Sequence, residues 1–219
     1  MSFSELLEEF GGDYVQSLLT TWGLTLLTFA LSLFAGLVIT ILRISPVKIL
    51  QKSARAYVQI FRNIPGASLL IVLVYALPYL DIVLSYFASV VIATTLIVSA
   101  FISENLISGV QAIKKGQIEA ARALGFSFPK IIFYIIVPQS LRFSILPLTN
   151  LAVGTMLTTA LASQVPLKPR DLTGIVDYIN THTTGGIAPF VLSAALYCAT
   201  AVVIGQAGNY LDKKLRIKR

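Results

Sequence analysis

Lys114-Lys115-Gly116-Gln117-Ile118-Glu119-Ala120-Ala121-Arg122-Ala123-Leu124-Gly125, followed after nine residues by Ile135-Ile136-Val137-Pro138, is a water-compatible stretch set between long apolar runs. Alanine and leucine favour helix, Glu119 and Arg122 lie three apart on one face, and Gly125 suits the left-handed position that closes a helix. A short helix is therefore predicted from about Gln117 to Leu124. Ala120, Ala121 and Ala123 leave a slim surface that another protein can approach closely. A polar helix held in a loop of a membrane protein needs a partner; the plainer alternative is an amphipathic connector.

That the rest of the chain is membrane-embedded follows from its composition. With 219 residues, 56% of them hydrophobic and 12% charged, and a mean hydropathy of +0.81, it is too apolar for a soluble domain and too long for one anchor. Charged residues divide it into apolar runs: Tyr14 to Leu42, Asn63 to Leu80, Ile82 to Ser103, Phe143 to Leu167, and a window inside Tyr178 to Leu211. Each holds about the twenty residues that a helix needs to cross the hydrocarbon layer. The expectation is an all-α integral membrane protein, one domain over 1–219, with five transmembrane helices and a short cytoplasmic helix. The second span is marginal unless Val58 to Phe61 extends it, and Pro46 should end the first helix near Ser45 or restart another.

The net charge of +7 could suggest nucleic acid, but the placement of the cations argues for a membrane topology instead. Arg43, Lys48, Lys52, Arg55 and Arg62 follow span one; Lys114, Lys115, Arg122, Lys130 and Arg142 follow span three; Lys213, Lys214, Arg216, Lys218 and Arg219 form the tail. Only Lys168 and Arg170 lie elsewhere, and Glu5, Glu8, Glu9, Asp13, Asp81, Asp171 and Asp177 fall on the other side. The positive-inside rule then places the N-terminus outside, the C-terminus inside, and the loop of about 114–138 in the cytoplasm. The acidic N-terminal residues do not read as a secretory signal, so the first span should remain in the mature protein. Cys198, the one cysteine, is expected to be buried and inert.

The spacing Glu119-Ala120-Ala121, three residues, Gly125, nine residues, Ile135-x-Val137-Pro138 resembles the EAA loop of permease subunits of bacterial ABC importers, with Val137 where that pattern has Leu. Phe61-Arg62-x-x-Pro65 and Ala100-Phe-Ile-Ser-Glu104 through Gly109 to Ile113 resemble the polar-amino-acid uptake group, although Ile107 stands where that group has Arg. The resemblance covers roughly Tyr57 to Asn150. It implies that Glu119, Ala120, Ala121, Arg122, Leu124 and Gly125 form a coupling helix docking into a groove of a cytoplasmic ATPase subunit. It further implies a second, paralogous permease subunit, an extracytoplasmic solute-binding protein, and a place in the bacterial cytoplasmic (inner) membrane.

No phosphate-binding G-x-x-x-x-G-K-[ST] loop, Cys/His dyad or H-E-x-x-H helix occurs in the sequence, so ATP should be bound by a partner, with no cofactor and no metal here. The expected substrate path is the polar side of span four: Asn150, Thr155, Thr158, Thr159 and Ser163, with Gln164 beyond. Related permeases carry acids where this chain has Leu151 and Thr158, so either the substrate differs or this chain forms a neutral wall and the second permease supplies the charged contacts. The alternative is that these threonines only hydrogen-bond within the bundle. Glu104 reads as a hydrogen-bonded carboxylate at the membrane boundary ahead of a substrate contact. Pro166 to Gly186 reads either as a polar surface for a solute-binding protein or as a solvated connector, with His182 a solvated loop residue. Ala195-x-x-x-Ala199 and Ala201-x-x-x-Gly205 have helix-packing spacing. A self-sufficient secondary carrier or channel is the competing class of function, distinguished by transport without an ATPase.

Overall fold

Ten α-helices, joined in places by π and 3-10 turns, make up the described part of this computed structural model, residues 2–215, which contains no strand. Arg216, Lys218 and Arg219 of the basic tail lie outside the described residues. The first helix, α1 (Phe3–Ile44), starts well before Tyr14. At 1.5 Å per residue it extends about 63 Å, roughly twice the hydrocarbon thickness, so the acidic turns carrying Glu5, Glu8, Glu9 and Asp13 continue the helix beyond its apolar part. Ser45-Pro46-Val47 separates it from α2 (Lys48–Asn63), as a proline should.

The expected second span, Asn63 to Leu80, is not extended by Val58 to Phe61, because the chain bends by 101° between Asn63 and Gly66. Pro65 caps a new helix, α3 (Gly66–Ile71), which passes into a π-helical turn over Val72–Ala76 and a 3-10 turn over Leu77–Leu80. After α4 (Tyr86–Gln111) come α5 (Lys115–Ala123), α6 (Phe128–Ile131), a second π-turn over Ile132–Ile136, and α7 (Val137–Phe143). Expected span four is one continuous helical run, α8 (Ile145–Thr159) tightening to 3-10 over Ala160–Gln164. α9 (Leu172–His182) and α10 (Ala188–Leu215) complete the chain. Among the described residues, four segments are long and apolar enough to cross a membrane, and Lys48–Asn63 with Gly66–Leu80 makes a fifth if that broken pair is one span.

Both π-turns have the same cause. Each ends two residues before a proline, Pro78 or Pro138. Proline has no N–H to donate and its ring collides with the carbonyl four residues back, so the helix widens ahead of it. Accordingly the N–H of Leu77 donates to Val72 O and that of Val137 to Ile132 O, five residues back in each case.

By contacts the chain forms two compact units, to which four of the helices contribute in both. One draws on the chain up to Ala30, Ile64–Thr95 and Ala152–Ile204. Its core has a cluster around Leu24, Leu70, Val90 and Ala162, and another in which Leu6, Phe10 and Tyr14 pack on Leu172, Ile175 and Ile179. The other unit draws on Leu31–Asn63, Leu96–Leu151 and the chain from Gly205 on. There Ile39 and Ala100 pack on Ala54 and Val58, and Ile113 and Ala121 on Ile131, Ile132 and Ile136. Close approach is made possible by Gly208, where a Cβ would overlap Thr149, and by Gly109, where one would come within 2.6 Å of Ser140 O.

Cys198 is exposed on α10, contrary to expectation, as are Ala195 and Ala199 beside it. An apolar span has no hydrophobic contrast to mark which of its sides faces inward, so its thiol could not be placed from composition.

Candidate functional site

The EAA-like stretch folds as α5. Its end is a Schellman motif: Gly125 adopts φ 77°, its N–H donates to Arg122 O at 2.9 Å, and the Phe126 N–H donates to Ala121 O at 3.0 Å. Ala121 is buried and Ile118 half-buried, and both pack on the cluster of Ile113, Ile131 and Ile132. Gln139 Nε2 adds a 2.8 Å bond to Gln117 Oε1, tying α7 to α5. Of the expected docking residues, Glu119, Ala120, Arg122, Leu124 and Gly125 are exposed while Ala121 turns inward. The slim outer surface is thus made by Ala120 and Ala123. Leu124, 77% exposed, stands at the helix end with the exposed ring of Phe126 close in sequence.

In the same unit, Glu104 on α4 joins three helices. Its Oε2 lies 3.0 Å from Arg43 Nη1 at the end of α1 and 3.4 Å from Arg62 Nη1 at the end of α2. Arg43 Nη1 also donates to Ser103 Oγ at 3.2 Å, and the Arg62 guanidinium sits 5.3 Å above the Phe101 ring. Two cations on one carboxylate at the polar end of a span leave Glu104 committed to structure. In the sequence both arginines are topology signals, and Arg62 also belongs to the Phe61-Arg62-x-x-Pro65 resemblance; nothing local there links either to Glu104.

The polar residues of α8 are separated by the helix. Asn150 is exposed, in the part of the helix belonging to the second unit. In the first unit, Thr155 and Thr159 are fully buried on the face that also carries Ala162, and Thr159 Oγ1 donates to Met156 O at 2.6 Å. Thr158 lies at the edge of that face, half-buried, its Oγ1 donating to Gly154 O at 2.8 Å. Ser163, half-buried, donates to Ala160 O at 2.8 Å in the 3-10 turn.

The polar stretch after α8 is not simply a loop. Asp171 caps α9, accepting from Thr173 N–H at 3.2 Å and Gly174 N–H at 3.0 Å. Thr21 Oγ1 accepts from the Leu172 N–H at 3.0 Å, and Ser193 Oγ donates to Leu172 O at 2.8 Å. Burial pushes the Asp171 carboxyl above the usual range, against the lowering effect of those backbone N–H groups. His182 ends α9, exposed, with its ring 4.3 Å from that of Tyr178. Beside the start of α9 lies a cleft of about 300 Å³ lined by Tyr75, Ser163, Gln164, Arg170, Asp171 and Asp177 among others.

Long apolar helices, two of them broken or tightened near prolines and polar turns, with a short exposed helix in a loop, define a polytopic membrane protein of the transport class. The chain belongs to the family of binding-protein-dependent transport system inner membrane components, matching it over residues 29–217. It is 30% identical to the probable glutamine ABC transporter permease protein GlnM of Bacillus subtilis, with 98% of each chain covered. It is 32% identical to the probable glutamine ABC transporter permease protein GlnP of the same organism, over 89% of each, and 28% identical to the glutamate transport system permease protein GluC of Corynebacterium efficiens, over 99% and 100%. A crystal structure of an amino acid ABC transporter with histidines superposes with a TM-score of 0.88 over 98% of this chain and 99% of that one, at 25% identity. An inward facing structure of the MetNI methionine ABC transporter matches with a TM-score of 0.76 over 99% and 100%, at 20% identity, and speaks for the fold alone.

Proposed function

We propose that this chain is a permease subunit of an ATP-driven importer of polar amino acids, glutamine and glutamate being the leading candidates from its relatives' names. It works with a second permease, a pair of ATPase subunits and an extracytoplasmic solute-binding protein, in the bacterial inner membrane. Five spans cross it, the second being the Gly66–Leu80 part of the broken pair, with the N-terminus outside and the C-terminus inside.

The observation that carries the coupling role is α5: a helix pinned on one side by Ile118 and Ala121, closed by Gly125, and bare on the side of Glu119, Ala120, Arg122 and Leu124. ATP binding closes the ATPase pair and displaces α5. Its attachment through Gln139 and the Ile131–Ile136 packing carries that displacement into α7. The solute passes along the α8 side, where Asn150, Thr158 and Ser163 are the accessible polar groups, while Thr155 and Thr159 hold the helix to its own unit. A charged solute needs countercharge that these hydroxyls lack, and the second permease supplies it.

Purification of the complex and a screen of single amino acids for stimulation of ATP hydrolysis tests this reading. Stimulation by one polar amino acid together with its binding protein is expected; uptake by this chain alone in liposomes would reject it. Cysteines at Glu8 and His182 should react with an impermeant reagent added outside, in a Cys198→Ser background, while one at Lys214 should not.

A further inference from the structure

α2 is held to its unit along one side only. Ala54 and Val58 are buried against Ile39 and Ala100, and the Tyr57 hydroxyl bonds Ser99 Oγ at 2.8 Å and Leu96 O at 3.1 Å. The rest of its circumference is bare, and at 100° per residue it sorts into two adjacent stripes. Ile49, Ala56 and Ile60 form an apolar one, with the two isoleucines 67% and 53% exposed. Lys48, Lys52 and Arg55 form a basic one, all exposed, and α2 carries no acid of its own.

The level at which α2 packs is set within the same unit. α1 closes at Ile44 with Arg43 in its last turn, and α4 turns polar at Ser103-Glu104-Asn105. Arg62 of α2 meets Glu104 there, beside Arg43. A level at which two apolar helices become charged together is the edge of the hydrocarbon layer. Since Arg43 and Arg62 are engaged with Glu104, the basic stripe consists of cations left to face outward. An apolar stripe beside a basic one on a helix at that depth suits the headgroup layer: aliphatic side chains enter the acyl boundary and cations meet phosphates.

We infer that the bare side of α2 is a binding surface for anionic phospholipid, with Ile49, Ala56 and Ile60 in the acyl boundary and Lys48, Lys52 and Arg55 against the phosphates. Charge selects this occupant over a neutral lipid, because each interfacial cation favours an anionic surface by about fivefold. A protein cover over the apolar stripe would instead leave three lysine and arginine head groups needing acids.

The test uses the whole complex, with its ATPase, in nanodiscs of phosphatidylcholine. A fluorophore on Ala56→Cys, in a Cys198→Ser background, reports contact quenching by matched fractions of brominated phosphatidylglycerol or brominated phosphatidylcholine. The anionic lipid should quench at least about threefold more strongly, a conservative fraction of the preference that three cations supply. The combined Lys48→Gln, Lys52→Gln and Arg55→Gln variant, and high salt, should bring the ratio towards one. Lys213→Gln with Lys214→Gln should leave it unchanged. Equal quenching by both lipids in the parent complex, or an equal loss in the tail variant, would overturn the inference. Quenching by neither would also overturn it and assign the stripe to a protein neighbour such as the second permease.

Discussion

Two of the short helices between the long ones, α5 and α9, have surfaces arranged in opposite ways. α9 turns Leu172, Ile175, Val176 and Ile179 into its unit, has its first N–H groups satisfied by Thr21 and Asp171, and accepts a further bond from Ser193. α5 buries only Ala121, and its end leaves Leu124 and Phe126 outside. Short helices are marginal in water without tertiary packing, so α9 is held by its core face, whereas α5 relies on one alanine, one half-buried isoleucine and a glycine turn. The contrast separates a helix that completes a fold from one whose free surface exceeds its buried one.

The same kind of truncation should therefore read differently in the two places. Ile179→Ala removes a fully buried side chain and should lower stability by about 2–5 kcal/mol, measured as thermal unfolding of the purified complex. A loss below about 1 kcal/mol there would mean that α9 is not core at all.

Asp171→Ala should cost about 1–2 kcal/mol by removing the cap. Asp171→Asn keeps an acceptor at the cap and separates charge from shape. Burial raises the carboxyl in the folded protein, so its contribution to stability is fully present below the unfolded pKa and is lost as pH rises through the folded value. Melting curves across the carboxylate range should then show the asparagine variant gaining on the wild type as pH rises; parallel curves would show that the N–H groups offset burial, and a wild type gaining with pH that they outweigh it.

At the other helix the substitutions act on coupling more than on stability. Gly125→Val forces a β-branched residue to φ 77°, at about 1–2 kcal/mol, with open space around the position so that only the backbone is strained. Gly125→Asn should be milder. Solute-stimulated ATP hydrolysis should fall in that order. Leu124→Ala should have the smallest effect on stability, within about 0.5 kcal/mol, yet should uncouple uptake from hydrolysis. A Leu124→Ala complex that transports normally would remove α5 from the coupling route.

Much of this contrast was open to sequence reading, and what was missed has physical reasons. α5 was legible because its closing glycine, alanines and charge spacing are local signals; the structure moves it by only two residues at its start. α9 was read as loop because Lys168, Arg170, Asp171 and Asp177 dominate the composition there. Yet Leu172, Ile175, Val176 and Ile179 carry helical spacing behind an Asp cap, and periodicity was the better guide. Inside the spans the limit is different. Where nearly every residue is apolar, nothing local says which side is inward, so neither the burial of Thr155 and Thr159 nor the exposure of Cys198 could be read. The partners of Glu104 are sixty-one residues away at Arg43 and forty-two at Arg62, and no local pattern links them.

The π-turn at Ile132–Ile136 also bears on how this chain tolerates change. A widened turn accommodates one residue more than an α-turn does, and each residue of an α-helix turns the chain by 100°. Deleting a single residue there would remove the extra one and return the turn to α, keeping Ser140 at the glycine notch of Gly109, whereas deleting one from the α-helical turns of α7 would swing the residues after it to another side of the helix. Between Phe128 and Phe143 the widened turn is therefore the place where a one-residue loss keeps the facings beyond it, at the cost of the room it gives the ring of Pro138.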